Sequence, residues 1–385
     1  MTEKLYYLDS HLFTFEAAVL ACEDAEGGFR VELDRTAFFP EGGGQPGDTG
    51  FLGPARVLDT RERDGRVFHF TDRPLTVGEC YSGRLDAEQR HRRMQNHSGE
   101  HIVSGLVHGL YGFENVGFHM GESCMTMDYS GELSREQVEQ VERLANEAVR
   151  SNLPIRAWFP EAEELSLLSY RSKKELHEAV RLVQIPGIDL CACCAPHVHA
   201  TGEIGVIKLL TAERHRGGTR VTALCGLDAL ADYARRQESA AAVSALLSVP
   251  RDNIAPAVER LLQERDGLKE RVAALSLRLV DALAVSTPET DGNLCVFNPG
   301  LDEIASRELV NRLAERCGGF AAVFTGSDAE GWRYIIGSLH VDLRAQSRAV
   351  NTALSGRGSG KPTMIQGQAS AAEETIRRWC EAVKL

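Results

Sequence analysis

His97 and His101, set as HSGEH, and Cys193 and His197, set as CCAPH, form two widely separated half-sites, each with two metal-binding side chains four residues apart. Imidazole combined with thiolate selects zinc. Helical positions i and i+4 share a face, so both imidazoles of the first pair can reach one ion without distorting the backbone. Either pair alone is a weak signal. Together they predict one zinc per chain, with Cys191, Cys194 and His199 as rival ligands that spacing does not eliminate. HSGEH also fits the H-x-x-E-H pattern of inverted zinc peptidases, in which the acid activates water. Glu100 is therefore a candidate general base, the alternative being a solvated helix residue beside the site.

Two glycine-rich stretches could bring backbone close to a ligand. The first, PEGGGQPGDTG at 40–50, follows the strand-like LDRTAFF and lacks the terminal Lys-Ser/Thr of a nucleotide-binding loop, so nucleoside triphosphate is not its ligand. The alternative is a tight hairpin with no ligand. The second, LSGRGSGKPTMIQGQA at 354–369, sets Arg357 and Lys361 among glycines and reads as a surface loop able to cradle phosphate.

These residues need elements to hold them. The fold class expected is α+β. Residues 1–88 alternate apolar and polar positions over short runs such as 29–33 and 66–70, which predicts a small β-barrel-like domain. Residues 89–235 read as a mixed zinc-binding domain. It would have a helix over 90–109 carrying the histidine pair, an amphipathic helix over 135–151 and another over 173–180. Strands at 181–185 and 203–210 would flank a cysteine-rich loop. From Ile254 the apolar residues Val258, Leu261, Leu268, Val272, Leu275 and Leu279 follow heptad spacing, interrupted at Arg265. The segment 236–288 is thus a helical connector that packs internally or pairs two chains. Residues 289–385 predict a small α/β domain ending in the second glycine loop and a helix from about 370.

The chain of 385 residues is 43% hydrophobic and 25% charged, with net charge −12, which excludes disorder and any bulk electrostatic grip on nucleic acid. Basic positions available locally are Arg90, Arg92, Arg93, Arg214, Arg216, Arg220, Arg357 and Lys361. The opening MTEKLYYLDSHLF lacks the basic-then-apolar layout of a signal peptide, and ten cysteines then suggest thiols or ligands in a reducing cytosol. A cytoplasmic location is expected, with no membrane partner.

Four segments in order resemble the free-standing alanyl-tRNA editing proteins of the AlaX type and the editing half of alanyl-tRNA synthetase: FFPEGGGQPGDTG, HSGEHIVSG, VRLVQIPGIDLCACCAPHVHATGEIGVIKL and GGTRVTALCG. The family's C-x-x-x-H is followed by V-x-x-T-G-x-I-G. Aligning Val198 and Thr201, Gly202, Glu203, Ile204 and Gly205 with that tail implies Cys193 and His197 as ligands beside His97 and His101. The usual C-G-G-T-H is here CCAPH. The GRGSGKP stretch looks like the C-terminal domain shared with DHH-type phosphoesterases, although no DHH triplet is present, so the resemblance implies the long form.

That resemblance implies a zinc-dependent hydrolase that deacylates mischarged tRNA(Ala), Ser-tRNA(Ala) first and Gly-tRNA(Ala) second. Its catalytic candidates are Glu100 and Gln45, and its substrate-binding candidates Thr36, Glu41, Gly42, Gly43, Gly44, Gln45 and Arg181. Thr36 and Gln45 flank the glycine loop and could sense a seryl hydroxyl. Arg92, Arg93, Arg220, Arg357 and Lys361 would hold the tRNA, whose acceptor end is the expected partner. A homodimer would form through the heptad helix or the C-terminal domain. The competing readings are an inverted-zinc peptidase, which needs a carboxylate ligand in place of Cys193, and a non-catalytic tRNA-binding protein with structural zinc.

Overall fold

A computed structural model describes residues 2–172 and 180–384, in two compact units spanning Met1–Ala241 and Ala242–Leu385. The fold is mixed, with eight α-helices among the described residues and several sheets.

In the first unit, six strands close into a barrel in the order Thr14–Ala25, Gly28–Leu33, Arg66–Thr71, Ala55–Arg63, Gly50–Leu52 and Cys80–Leu85. Alternation along them sends Val19, Val31, Leu33, Leu52 and Val57 inward with Phe15 and Phe38, and closure leaves these strands no exposed edge. Helix α1 (Ala87–Tyr111) follows. It stops at Gly112, whose left-handed backbone (φ 69°) lets its N–H reach the His108 carbonyl. Helix α2 (Arg135–Arg150) starts at a capping box. The Ser134 hydroxyl accepts from the Gln137 backbone N–H, and Gln137 Oε1 accepts from the Ser134 backbone N–H.

Both helices pack on a four-stranded antiparallel sheet ordered Ile207–His215, Gly218–Cys225, Met125–Tyr129 and Asn115–Met120. Met94, Ile102, Val103 and Val107 of α1 join Met127, Val141, Val221 and Ala223 in its core. A three-stranded sheet of Arg156–Trp158, Leu182–Ile185 and Asp189–Ala192 lies beside the short helix α3 (Ala162–Leu167) in sequence. The cysteine segment is thus partly a strand, since Cys191 pairs with Val183; the loop expected there begins only at Cys193. The helix expected over 173–180 lies almost wholly outside the described residues. Helix α4 (Gly226–Leu247) ends the first unit's sequence and begins the second's.

In the second unit, α5 (Ile254–Ser286) realises the heptad segment. Val280 and Ala284 near its end are buried in that unit's core, whereas Leu261, Leu268, Val272 and Leu275 stay exposed. A five-stranded sheet runs Leu294–Phe297, Ala321–Ser327, Gly331–Gly337, Met364–Ala369, Gly356–Lys361. Helix α6 (Glu303–Ala314) covers one face; α7 (Leu343–Ala353) and α8 (Glu373–Ala382) cover the other. The expected glycine loop at 354–369 is instead a hairpin, and α7 was not foreseen. The physical reason is contact: Tyr334 lies across Gly358 and Gly367, where any Cβ would collide with its hydroxyl. These glycines therefore permit close packing in a sheet rather than looseness. No helix among the described residues is long and apolar enough to cross a membrane.

Candidate metal centre

Helix α1 crosses the interior of the first unit, so its polar residues His97, Ser98, Glu100, His101 and Ser104 are all at most 2% exposed. The loop after the strand Asp189–Ala192 delivers Cys193 and His197 to the same point. One donor atom from each of His97, His101, Cys193 and His197 lies within 4.8 Å of the others. Cys193 Sγ is 3.5 Å from His97 Nε2 and 3.4 Å from His197 Nε2. A tetrahedron with zinc–ligand bonds of about 2.0–2.3 Å has edges of about 3.5 Å, so these spacings fit a shared ion.

The orientation of the imidazoles is compatible with such an ion. His97 Nδ1 faces Gln45 Oε1 at 3.0 Å, His101 Nδ1 faces Asp189 Oδ2 at 2.8 Å, and His197 Nδ1 faces Ser98 Oγ at 3.1 Å. A proton on each Nδ1 leaves every Nε2 lone pair directed inward, the arrangement by which outer partners fix metal-binding histidines. Asp189 is itself gripped by the Arg171 guanidinium at 2.8 and 2.9 Å. Neither Asp189 nor Arg171 was foreseen. The only signal for Asp189 was a single acid inside the apolar run Ile188–Leu190.

Charge follows the same pattern. Burial alone would push the Cys193 thiol up, but His97, His197 and the His101 hydrogen bond outweigh it and hold the thiol well below its ordinary value. Burial also opposes charge on His101, yet Asp189 and Cys193 lift it above the ordinary imidazole range. His197, pushed down to about 3 by burial, stays neutral. A thiolate facing the His101 imidazolium is an arrangement that a divalent cation can replace.

Of the rival ligands, Cys191 is buried on the strand, while Cys194 and His199 are exposed. Glu100 is fully buried, so the reading of it as a solvated helix residue is corrected. Its Oε1 accepts from Ser104 Oγ at 2.7 Å and Asn115 Nδ2 at 2.6 Å, and its Oε2 is 3.8 Å from His101 Nε2.

The first glycine loop leans over this centre. A side chain at Gly43 would stand 3.7 Å from Cys194 Sγ and 3.8 Å from His97 Cε1. Gly44, at φ 80°, presses so closely on Phe118 that a Cβ would fall 2.5 Å from its carbonyl oxygen. Gln45 is buried, and its Nε2 has no hydrogen-bond partner among the described residues. Glu41 and Gly43 are exposed at the rim. Arg90, on α1, anchors the loop through Asp48, whose Oδ2 also accepts the Phe39 N–H at 2.7 Å.

The other expected site residues have partners within the chain. Thr36, fully buried, donates to His69 Nε2 at 2.8 Å, because His69 Nδ1–H is directed at the Val31 carbonyl; its oxygen accepts the Phe38 N–H at 3.1 Å. Arg181 donates to the carbonyls of Cys193 and Ala195 at 3.0 and 2.9 Å and so supports the ligand loop. Arg93 donates to the Gly47 carbonyl at 2.7 Å and lies 3.5 Å from Asp48. Arg92 pairs with Glu88 and Asp228, and Arg220 with Asp128 at 2.6 and 2.7 Å. Arg357 and Lys361 lie in the second unit on a groove near 980 Å³.

Residues 180–222, which contain Cys193 and His197, match the second additional domain of threonyl and alanyl tRNA synthetases. The alanyl-tRNA editing protein Aarsd1 of Rattus norvegicus is 27% identical over 390 residues, covering 94% of this chain and 93% of its own. The chain is thus similar in sequence to the AlaX-type alanyl-tRNA editing proteins. The editing protein AlaX-L of Pyrococcus horikoshii is 32% identical over 240 residues, 60% of this chain and 59% of its own. An alanine–tRNA ligase of Halobacterium salinarum is 34% identical over 362 residues, 87% of this chain. That alignment covers only 38% of the ligase.

Proposed function

We propose that the protein is a zinc-dependent hydrolase that deacylates mischarged tRNA(Ala), Ser-tRNA(Ala) first and Gly-tRNA(Ala) second, in the cytoplasm. The observation that carries this reading is the convergence of four donors with all three Nδ1 atoms engaged by outer partners. It occurs in a chain whose relatives are named alanyl-tRNA editing proteins.

Zinc bound there would polarise the ester carbonyl or acidify a water. His97, His101, Cys193 and His197 would hold the ion. Glu100, buried beside His101, accepts the water proton and returns it to the ribose oxygen. Gln45 holds His97 with its oxygen and turns its unpartnered amide N–H groups to the ester or the seryl hydroxyl. A buried donor that only serine satisfies disfavours alanine, which shape alone cannot achieve. Thr36 acts through the position of the loop, since its hydroxyl is already engaged. Glu41, Gly42, Gly43 and Gly44 form the rim, and Arg181 keeps the ligand loop in place.

The tRNA body is held by local cations, since the chain carries −12 overall. In the second unit Thr325, Arg333, Gln368 and Arg357 form one cross-strand row, with Lys361 further along the same face. The buried Ser306 hydroxyl in that groove has no partner among the described residues. Arg92 exchanges Glu88 and Asp228, and Arg220 exchanges Asp128, for phosphate, and Arg93 positions the glycine loop. The exposed apolar stripe of α5, or the C-terminal unit, joins two copies.

The peptidase alternative needs a carboxylate ligand, but Asp189 is bonded to His101 Nδ1 and Arg171, and Cys193 holds the fourth place. The test is hydrolysis of Ser-tRNA(Ala) and Ala-tRNA(Ala) by zinc-loaded protein, chelated protein and His101→Ala. Rapid loss of the seryl ester with loaded protein alone is expected. Its persistence would leave a structural zinc in a tRNA-binding protein.

A further inference from the structure

A second set of metal-binding side chains lies outside the centre just described. Asp9, His11 and His199 place one donor atom each within 4.8 Å of one another. The arrangement is built from the carboxylate outward. Glu203 Oε1 accepts the backbone N–H groups of His199 and Ala200, both at 3.0 Å, which fixes its plane. Its Oε2 is 2.8 Å from His11 Nε2 and so draws that ring's proton to Nε2.

The His11 Nδ1 lone pair is then directed elsewhere. Ser10 Oγ lies 3.2 Å from it, but that hydroxyl donates to the His197 carbonyl at 2.7 Å. What His11 Nδ1 meets is His199 Nε2 at 3.2 Å, and His199 Nε2 is in turn 3.3 Å from Asp9 Oδ1. The Asp9 side chain is fixed by accepting the His11 backbone N–H at 2.8 Å.

We propose that His11 Nδ1, His199 Nε2 and Asp9 Oδ1 form a second divalent-cation site, with Glu203 as the outer carboxylate that sets the His11 tautomer. Separations of 3.2 and 3.3 Å are those of neighbouring donors around an ion with bonds of about 2.0–2.2 Å. The Glu203–His11 pair repeats the Asp189–His101 pair of the first centre. Two imidazoles and a carboxylate suit zinc among the biological cations, and bind nickel or copper at least as well in vitro. The Asp9 and His199 side chains are 51% and 61% exposed, so the remaining coordination positions face solvent and the ion exchanges readily.

The ion would clip the N-terminal segment to the loop that carries His197. Ser10, between two of the donors, already bonds the His197 carbonyl, and Arg90 holds the Ser10 carbonyl at 2.9 Å. Occupancy of the second site therefore braces the first.

Metal stoichiometry of the full chain after equilibration with excess zinc and gel filtration is the test. The wild type should carry two zinc ions, one of them removed by a mild chelator at least tenfold more readily than the other. The double variant His11→Ala, His199→Ala should carry one. With cobalt, the first centre gives the intense thiolate charge-transfer band, and the second adds only weak visible absorption, lost in the double variant. A wild type that saturates at one ion overturns the proposal in favour of a plain hydrogen-bonded chain, as does a second ion that survives the double substitution. Should the double variant fail to fold, Asp9→Asn carries the test. It keeps an oxygen for the His11 N–H, removes the charge, and should weaken the second ion alone by about tenfold; unchanged affinity refutes the site.

Discussion

The buried polar residues of the metal centre form a chain in which each group sets the state of the next. Arg171 holds Asp189, Asp189 holds the His101 proton, and His101 faces Cys193 across the centre. Asp189→Asn keeps the shape but can present its amide to His101 and weakens the hold of Arg171. Zinc affinity should fall by about 10–100-fold in a competition titration, with far-UV circular dichroism unchanged. Equal affinity would show that the tautomer is set elsewhere. Thr36→Val should lower the ratio of seryl to alanyl ester hydrolysis only a fewfold, because the Thr36 hydroxyl is spent on His69 and Phe38. An unchanged ratio would remove Thr36 from discrimination and leave it to Gln45.

The barrel and α1 supply the rigidity those residues need. Barrel closure buries His69 completely, and burial pushes its imidazole down to about 4. The unfolded chain takes up that proton near 6.5, so the contribution is fully present above pH 6.5 and is lost as the pH falls through 4. Over that window it is worth about 3 kcal/mol. Urea unfolding at pH 7 and pH 4 should lose that much more in the wild type than in His69→Gln, which keeps an acceptor for Thr36 and does not titrate. Parallel losses would mean that His69 is protonated in the folded state. Helix α1 matters differently. Its residues from Met94 to Gly105 are all buried, so a helix that looks like a polar surface element is an interior one.

For the whole molecule, an acidic protein proposed to bind tRNA must do so through few cations. If Arg357 and Lys361 each contact one phosphate, replacing both with alanine should reduce the slope of log K against log salt by about 2. Hydrolysis at saturating tRNA should be unaltered, since neither residue belongs to the unit that carries the metal centre. An unchanged slope would place the tRNA contacts on Arg92 and Arg220 instead.

Local pattern alone determined a good deal. Heptad spacing marked α5, period-two alternation marked the strands at Gly28–Leu33 and Arg66–Thr71, and four-residue spacing marked both ligand pairs, because each is a property of neighbours in sequence. The hairpin of Gly356–Lys361 and Met364–Ala369 escaped because glycine reads as a turn when its packing partner, Tyr334, is distant in the chain. Tertiary structure decided the rest. It buried Glu100, engaged Thr36 with His69, and turned Arg93 and Arg181 into supports for the loops that carry the site. Asp189 was invisible for the same reason. A hydrogen bond between side chains 88 positions apart leaves no periodicity in the sequence, and only the folded chain gives an acid its partner.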